Sequence, residues 1–218
     1  MKNIPNSAQF CLVDIHPRHH KDLTTLTGSN FNLSPAARAK RKNEFYSGRW
    51  CAAQCLINKN EDKLAVQIGA DRAPIWPVGV VGSISHSDQQ AAALIDHTQH
   101  CLGIGLDIQA NSSQALANDL KTTILHPLEI TRFNHQYNAQ LFDLIFSAKE
   151  SLYKALYPRC TIFFDHQDAE VTNINRVEKT LQISLLRSLG HYWSKHQTFE
   201  INFDYLSGEL VTWLYIKA

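Results

Sequence analysis

The sequence predicts a mixed α+β fold, and three observations support that prediction. The segment "LSPAARAKRKNEFYSGRWCAAQCLIN" has a long helical pattern, and three short β-like runs separated by polar turns follow it. A second helical segment, residues 139–157, is followed by more strand-like runs. Because a stretch rich in Asn, Ser and Gln starts at residue 110, we expect two halves, residues 1–110 and residues 111–218.

The first helix is predicted to begin with Ser34 as its N-cap and Pro35 at its first helical position. Its helical period separates an apolar side from a polar side. The apolar side carries Phe45, Tyr46, Ala52, Ala53, Leu56 and Ile57, and the polar side carries Lys40, Asn43, Glu44, Ser47 and Gln54. Arg38, Lys42 and Arg49 lie along the border. Either their long stems extend to water, or the helix holds an anion there.

The β-like runs Val80–Ser85, Ala91–Ile95 and Leu102–Ile108 are predicted to form a meander. In the third run, apolar residues alternate with Gly103, Gly105, Asp107 and Gln109. Successive side chains of a strand point to opposite faces, so Asp107 and Gln109 are expected on one face. The two glycines are expected to leave space beside them.

The second helix, residues 139–157, carries an apolar stripe that predicts a buried face. The stripe comprises Leu141, Ile145, Ala148, Leu152, Ala155 and Leu156. Asp143, Glu150 and Lys154 lie opposite, and Glu150 and Lys154 have the spacing of a helix-surface ion pair. Phe146 and Tyr157 flank the same side, which favours contact with protein or ligand over open solvent. Strands are expected around "TIFFD", "TLQISLL", "TFEINFDY" and "ELVTWLYIKA".

Composition excludes several classes of protein. The 21 Lys and Arg residues against 20 Asp and Glu residues leave a net charge of +1, so we expect no nucleic-acid or membrane partner. The N-terminus lacks an apolar signal region, and no run reaches the roughly 18 apolar residues of a membrane span, which predicts a cytoplasmic protein. Five cysteines without a C-x-x-C pair argue against a disulfide framework and against a zinc site.

Short motifs narrow the chemistry further. Ser85–His86 lacks the G-x-S-x-G surroundings of a hydrolase nucleophile, so a turn pair is the simpler interpretation. The segment "GIGLDIQ" (103–109) runs along a strand and opens no helix, unlike a dinucleotide-binding glycine loop. Asp107, at the end of that strand, can be a turn former or part of a site.

Four segments taken together resemble the 4′-phosphopantetheinyl transferases, of the type represented by the surfactin-synthetase activator and the enterobactin-synthase component. They are "GRWCAAQCLI", "DRAPIWPVGVVGSISHS", "IGLDIQ" and "FSAKESLYKAL", and the resemblance covers roughly residues 31–158. It implies two similar α+β halves related by a pseudo-twofold axis, with coenzyme A in the cleft between them. It also implies transfer of phosphopantetheine from coenzyme A to a serine of an apo carrier protein, with release of adenosine 3′,5′-bisphosphate.

The resemblance assigns roles to acidic residues from both expected halves. Asp107 and Glu150 are expected to hold Mg²⁺, a hard cation that suits a pyrophosphate. Glu150 is also the candidate base for the serine hydroxyl, and Lys154 is expected to neutralise charge on the leaving group. The family commonly has Glu two residues after the strand aspartate, whereas this chain has Gln109. A third metal-binding carboxylate is therefore missing, and the carbonyl oxygen of Gln109 or a water is expected to take its place at the Mg²⁺.

A second set of residues is implied for the coenzyme A end. Arg49 and His86 are expected to contact the 3′-phosphate, with Arg41, Lys40 and Arg72 as helpers. The Ser85 hydroxyl is expected to contact the phosphate or the adenosine, and the stretch 74–77 to hold the adenine through its backbone.

The expected protein is thus a Mg²⁺-dependent, monomeric transferase that acts on an apo acyl or peptidyl carrier protein. Two alternatives stay open at this point. Gln109 favours a non-catalytic relative that binds coenzyme A or a carrier protein, although Asp107, Glu150 and Lys154 are present. A metal-dependent phosphodiesterase can use the same acidic pair.

Overall fold

The computed structural model describes residues 3–29, 31, 33 and 36–218. In that part of the chain the α-helices are α1 (Arg18–Thr27), α2 (Ala39–Asn58), α3 (Gln114–Ile124), α4 (Pro127–Arg132) and α5 (Ala139–Cys160). The strands are β1 (Gln9–Asp14), β2 (Gln67–Ile68), β3 (Pro74–Ile75), β4 (Val80–His86), β5 (Gln90–His97), β6 (Cys101–Gln109), β7 (Ala169–Asn175), β8 (Thr180–Leu185), β9 (Thr198–Leu206) and β10 (Glu209–Lys217). The predicted mixed α+β class is confirmed, whereas a pseudo-twofold relation between the halves stays a prediction.

The chain divides into two compact units, and the division falls within β6. The N-terminal unit contains Ile4–Ile104 and Ile216–Ala218. The C-terminal unit contains Gly105–Tyr215, together with Asn3. Asp107 and α5 therefore belong to one unit, although we had expected Asp107 and Glu150 to come from different halves. The functional division at residue 110 stays a prediction.

In the N-terminal unit, α2 packs on an antiparallel sheet of order β1-β5-β4. A core cluster fills this interface, and its residues are Cys51, Ala52, Cys55, Leu56, Val66, Val80, Ala93 and Ile95. The helix approaches the sheet closely at Gly48, where a Cβ atom would lie 2.7 Å from the Ile84 side chain. A side chain at this position would push the helix and the sheet apart.

The start and the polar face of the first predicted helix need correction. Ser34 and Pro35 lie outside the described residues, residues 36–38 are not helical, and α2 begins at Ala39. Glu44 and Ser47, predicted to be on the polar side, are buried. The reason is that α2 is packed against both the sheet and α1. Ile57, predicted to be apolar and inward, is 39% exposed.

The predicted meander is wrong in its third strand. Strands β4 and β5 pair as an antiparallel hairpin, in which Val80 lies opposite His97. Strand β6 instead lies beside β10 at the edge of a five-stranded sheet of order β6-β10-β9-β8-β7. Alternating apolar residues indicate a strand but do not specify its partner. The sequence therefore could not show whether β6 pairs with the β4–β5 hairpin or with another strand.

In the C-terminal unit, the predicted apolar stripe of α5 is buried along its whole length. The helix runs past Pro158 to Cys160 and ends at Thr161, which has a φ of 52°. The opposite side is not a solvent face, because Asp143 is 3% exposed and its Oδ2 accepts a hydrogen bond from the Ser112 backbone at 2.9 Å.

Three of the four predicted C-terminal strands correspond to β8, β9 and β10, whereas "TIFFD" (161–165) is not a strand. Strand β7 was not predicted, and α3 begins within the stretch 110–118 that was predicted to be a surface loop. Over the residues with described structure, no helix combines the length and the apolar character needed to cross a membrane.

Candidate active site

Asp107 lies on the face of β6 that meets α5 and is only 6% exposed. Its Oδ1 accepts a hydrogen bond from Lys154 Nζ at 2.7 Å, and its Oδ2 accepts one from Ser147 Oγ at 2.8 Å. Lys154 Nζ also donates to the Leu106 carbonyl at 3.1 Å. The two oxygens of the carboxylate are therefore held by two residues of one helix, and its orientation is set before any ligand binds.

Gly105 allows α5 to come this close to β6. A Cβ atom at Gly105 would lie 1.7 Å from the Ser151 carbonyl oxygen, so no other residue fits without moving the helix. The space that we expected beside the glycines of this strand is filled here by helix backbone. Ser147 Oγ and Ser151 Oγ also contact Thr212 Oγ1 on β10, at 2.9 and 2.7 Å. These buried hydroxyls fix the helix against the sheet.

Glu150 lies one turn before Lys154 on α5, and its side chain is 31% exposed. Its Oε1 contacts His166 Nε2 at 2.9 Å. Burial alone raises the pKa of the Glu150 carboxyl, but the hydrogen bond with His166 and the charge of Lys154 outweigh burial and lower this pKa below its ordinary value. The group is thus a carboxylate at neutral pH.

The ion pair proposed between Glu150 and Lys154 is replaced by two different pairs. Lys154 contacts Asp107, which is 47 residues away in sequence, and Glu150 contacts His166. His166 was missed by the sequence analysis, because no motif surrounds it and it follows an irregular segment. Its only signal was its position in the stretch after the helix.

An apolar cavity of about 210 Å³ opens beside Glu150. Its lining residues are Lys149, Glu150, Leu152, Tyr153, Phe163, Phe164, Asp165, His166 and Ala169. Phe163 is 70% exposed, whereas Phe164 is buried. The cavity can accept a flexible, mainly uncharged group next to a carboxylate.

Gln109 is half-buried near the end of β6, on the same side of the strand as Asp107 by the alternation of strand residues. Its amide nitrogen donates to the Ala110 carbonyl at 3.0 Å. The site therefore offers two carboxylates and one neutral amide oxygen. A magnesium role for Gln109 stays a prediction.

Binding of Mg²⁺ by Asp107 and Glu150 stays a prediction. Across the described part of the chain, no group of three or more His, Cys, Asp and Glu residues is arranged to hold a metal ion. Mg²⁺ is typically bound by one or two carboxylates together with waters and substrate phosphates. Asp107 and Glu150 are donors of this kind, and the chemistry of the donor set suits Mg²⁺ better than zinc.

A cluster of cationic side chains lies in the N-terminal unit, between α2 and β4. Arg41 Nη1 donates to His86 Nε2 at 2.8 Å and lies 3.5 Å from Glu44 Oε2. His86 Nδ1 lies 3.9 Å from the same Glu44 oxygen. An arginine only donates hydrogen bonds, so His86 Nε2 is the acceptor in this contact.

Arg49 lies about one helical turn after Phe45 on α2 and is only 8% exposed. Its guanidinium carbon lies 4.2 Å from the centroid of the Phe45 ring, and Nε donates to the Val66 carbonyl at 3.4 Å. Burial, and secondarily the charge of Arg41, lowers the pKa of Arg49 to about 10. The guanidinium remains charged at neutral pH, and among the described residues no carboxylate forms an ion pair with it.

The remaining predicted residues of the coenzyme A end are less closely grouped. Ser85 is 5% exposed and projects from the face of β4 opposite to His86, as alternation along the strand requires. Arg72 is exposed in the turn between β2 and β3, where its φ is 69°. Lys40 Nζ forms an exposed ion pair with Asp88 at 2.6 Å. Their roles stay predictions.

Comparison with known proteins gives two matches to family models. Residues 32–96 match the model described as the 4′-phosphopantetheinyl transferase N-terminal domain. Residues 103–210 match the model of the 4′-phosphopantetheinyl transferase superfamily. Together the matches include every predicted site residue.

Individual relatives match over shorter parts of the chain. The chain is 33% identical over 134 residues to the 4′-phosphopantetheinyl transferase Npt of Nocardia iowensis, covering 61% of this chain and 60% of Npt. It is 34% identical over 168 residues to enterobactin synthase component D of Salmonella typhi, covering 76% of this chain and 68% of that protein. With PptT of Mycobacterium tuberculosis it shares 30% identity over 136 residues, covering 62% of this chain and 59% of PptT.

Proposed function

Because this chain belongs to the 4′-phosphopantetheinyl transferase superfamily, we propose that it transfers 4′-phosphopantetheine from coenzyme A to a serine of an apo carrier protein. Adenosine 3′,5′-bisphosphate is the other product. The observation that carries this proposal is the arrangement of Asp107, Glu150 and Lys154 on β6 and α5. A family relative without activity would not need these three charges at one site.

Glu150 takes the proton of the attacking serine hydroxyl. Because its pKa is lowered, the proton-accepting form is present throughout the neutral range, although a lower pKa also makes it a weaker base. Contact with His166 uses Oε1 and sets the direction of the carboxylate. The other oxygen, Oε2, is then the one assigned to the serine proton.

Asp107 and Glu150 would hold Mg²⁺, with Gln109 as a weaker third donor. When bound, the ion supplies positive charge to the pyrophosphate oxygens and thereby favours cleavage of the bond. Ser147 keeps Oδ2 of Asp107 in place through its hydrogen bond of 2.8 Å. Lys154 provides a fixed cation at the same carboxylate and neutralises charge on the departing phosphate.

The cationic cluster of the N-terminal unit binds the 3′-phosphate of coenzyme A. Arg41 and Arg49 supply donors, and His86 lies beside them in contact with Arg41. Among the described residues no carboxylate forms an ion pair with the buried guanidinium of Arg49, so an anionic ligand would offset the cost of its burial. Ser85, Arg72 and Lys40 are secondary candidates. The proposal rests on charge and burial within this unit.

The apolar cavity beside Glu150 receives the pantetheine arm. This arm is attached to the phosphate that the serine attacks, so it has to lie next to the base that activates the serine. The lining of Tyr153, Phe163 and Phe164 suits its largely uncharged chain. A cytoplasmic location, a monomeric state and the absence of nucleic-acid or membrane partners stay predictions.

The experiment is incubation of the protein with coenzyme A, Mg²⁺ and a panel of apo carrier proteins, followed by intact-mass measurement. We expect one carrier or more to gain the mass of a single phosphopantetheine group, and a carrier with Ala at the acceptor serine to gain none. Release of adenosine bisphosphate without any carrier would instead indicate a phosphodiesterase. No mass gain on any carrier would overturn the proposal.

A further inference from the structure

Two neighbouring residues of α5 hold opposite ends of His166. Glu150 Oε1 contacts the ring at Nε2, at 2.9 Å. Lys149 Nζ donates to the backbone carbonyl of His166 at 2.7 Å. The ring also stacks on Phe146, with centroids 5.4 Å apart and an interplanar angle of 27°. These three contacts, from about one turn of α5, leave the imidazole little freedom to move.

Lys149, which donates to the His166 carbonyl, is itself held in place by further hydrogen bonds. Lys149 is 3% exposed, and its ammonium also donates to Glu129 Oε2 at 2.7 Å and to the Ile124 carbonyl at 2.9 Å. Glu129 is fully buried, and its other oxygen accepts from the Val171 backbone at 2.6 Å. All three donors of the ammonium are used, because it bonds to Glu129 of α4, to the end of α3 and to the His166 carbonyl.

A hydrogen bond to a metal-binding or proton-accepting carboxylate commonly sets its direction, and such partners can matter nearly as much as the carboxylate itself. Glu150 is 31% exposed on its side chain and has three rotatable bonds, so without a partner it would sample several rotamers. The contact of His166 with Oε1 favours one of these rotamers over the others.

We propose that His166 is a positioning residue for Glu150, and that Lys149 acts through His166 by fixing its backbone. This inference rests on the proposed function, in which Glu150 accepts the serine proton and helps to hold Mg²⁺. It assigns a role to a residue outside the motifs that carry the family resemblance. The hydrogen bond at Nε2, rather than the ring as a whole, is what orients the Glu150 carboxylate.

The test compares three substitutions at one position. His166→Gln keeps a donor at about the reach of Nε2, whereas His166→Asn is too short to reach Glu150 and His166→Ala has no donor. We expect His166→Asn and His166→Ala to lower kcat of carrier modification about 10- to 100-fold, with KM for coenzyme A changed less than about twofold. His166→Gln should recover most of the lost rate.

His135→Ala is the matched control, because His135 is an exposed histidine of the same unit outside the site. It should leave kcat unchanged. Thermal melting should place all four variants within about 4 °C of the wild type, as expected when no core contact is lost. Wild-type kcat in His166→Ala, or His166→Gln as slow as a folded His166→Asn, would overturn the proposal.

A spectroscopic readout separates this proposal from the proposed function. In the metal-free protein, the ring ¹⁵N resonance of His166 Nε2 should move in Glu150→Ala, while the His135 resonances stay in place. If the wild type modifies no carrier, the proposed function fails, and this spectrum still decides whether Glu150 and His166 are bonded. An unmoved His166 resonance would overturn the positioning role.

Discussion

Lys149 in the C-terminal unit and Arg49 in the N-terminal unit are both buried cations, but their surroundings differ. Lys149 donates to a carboxylate and two carbonyls at 2.7 to 2.9 Å. Within the part of the chain that the structure describes, Arg49 donates one hydrogen bond to a carbonyl, at 3.4 Å, and lies over an aromatic ring. Burial lowers the pKa of both groups, and for Lys149 the charge of Glu129 opposes this effect.

This difference separates a structural cation from a functional one. A buried charge is costly to the fold unless its partners compensate for desolvation. Lys149 is compensated by the protein itself, so its removal should damage the fold. The contacts of Arg49 do not fully compensate for desolvation of its charge. Its burial therefore lowers the stability of the fold, and an anionic ligand would offset this loss. Stability and ligand binding should therefore respond in opposite ways to the loss of the two cations.

The largest expected effect is on the fold. Lys149→Met leaves Glu129 buried without its cation, and the free energy of unfolding should fall by about 3–5 kcal/mol, the usual cost of breaking a buried pair. Urea denaturation measures this loss, with the exposed Lys195→Met as control. Stability within about 1 kcal/mol of the wild type would contradict the comparison, because isolated surface pairs have values of that size.

The second largest effect is expected at Asp107 and Glu150, whose removal should lower activity more than stability. Glu150→Gln and Asp107→Ala should each lower kcat at least about 100-fold, or about 2.7 kcal/mol of barrier, through loss of the base or of a metal donor. Rapid-quench or mass-spectrometric rates of carrier modification measure this, beside the exposed Asp62→Asn as control. Near-normal turnover in Glu150→Gln would show that Glu150 is not the base and only forms a hydrogen bond with His166.

Removal of the Arg49 charge should weaken binding of coenzyme A without lowering the stability of the fold. Arg49→Met keeps an apolar stem, and KM for coenzyme A should rise about 10- to 100-fold, the value of a lost charge-assisted contact. His86→Ala should act in the same direction. With 3′-dephospho-coenzyme A, neither variant should differ from the wild type.

The melting temperature of Arg49→Met should not fall, in contrast to Lys149→Met. This outcome follows because the contacts that the structure describes for the guanidinium, a 3.4 Å hydrogen bond and the Phe45 ring, do not compensate fully for the burial of its charge. A clear fall in melting temperature, or equal losses for both forms of the cofactor, would show that Arg49 stabilises the unit and does not bind the 3′-phosphate.

The smallest expected effect belongs to Gln109. Its neutral amide competes poorly with water for a hard cation, so Gln109→Ala should cost less than about tenfold in rate. Gln109→Glu should lower the Mg²⁺ concentration for half-maximal activity, because a third carboxylate strengthens the field at the ion. A Mg²⁺ titration beside Asp107→Ala decides this. Equal inactivity of Gln109→Ala and Asp107→Ala would make Gln109 an essential group.

Local pattern was sufficient for the elements that carry the candidate site. The apolar stripe of α5 and the alternation along β6 depend on helix and strand periods, which are properties of a few neighbouring residues. The partners of β6 were not predictable in this way. Strand β10, which lies beside it, is about a hundred residues further along the chain, and nothing in the β6 pattern distinguishes it from β5.

The sequence by itself determined that Asp107 and Gln109 share a face of β6 and that Glu150 and Lys154 lie one turn apart on α5. Those relations follow from backbone geometry. Only the tertiary structure decided that Lys154 pairs with Asp107 and Glu150 with His166. The reason is physical: a helix period brings charges near each other, but burial against a strand sets which opposite charge or hydrogen-bond partner compensates each one.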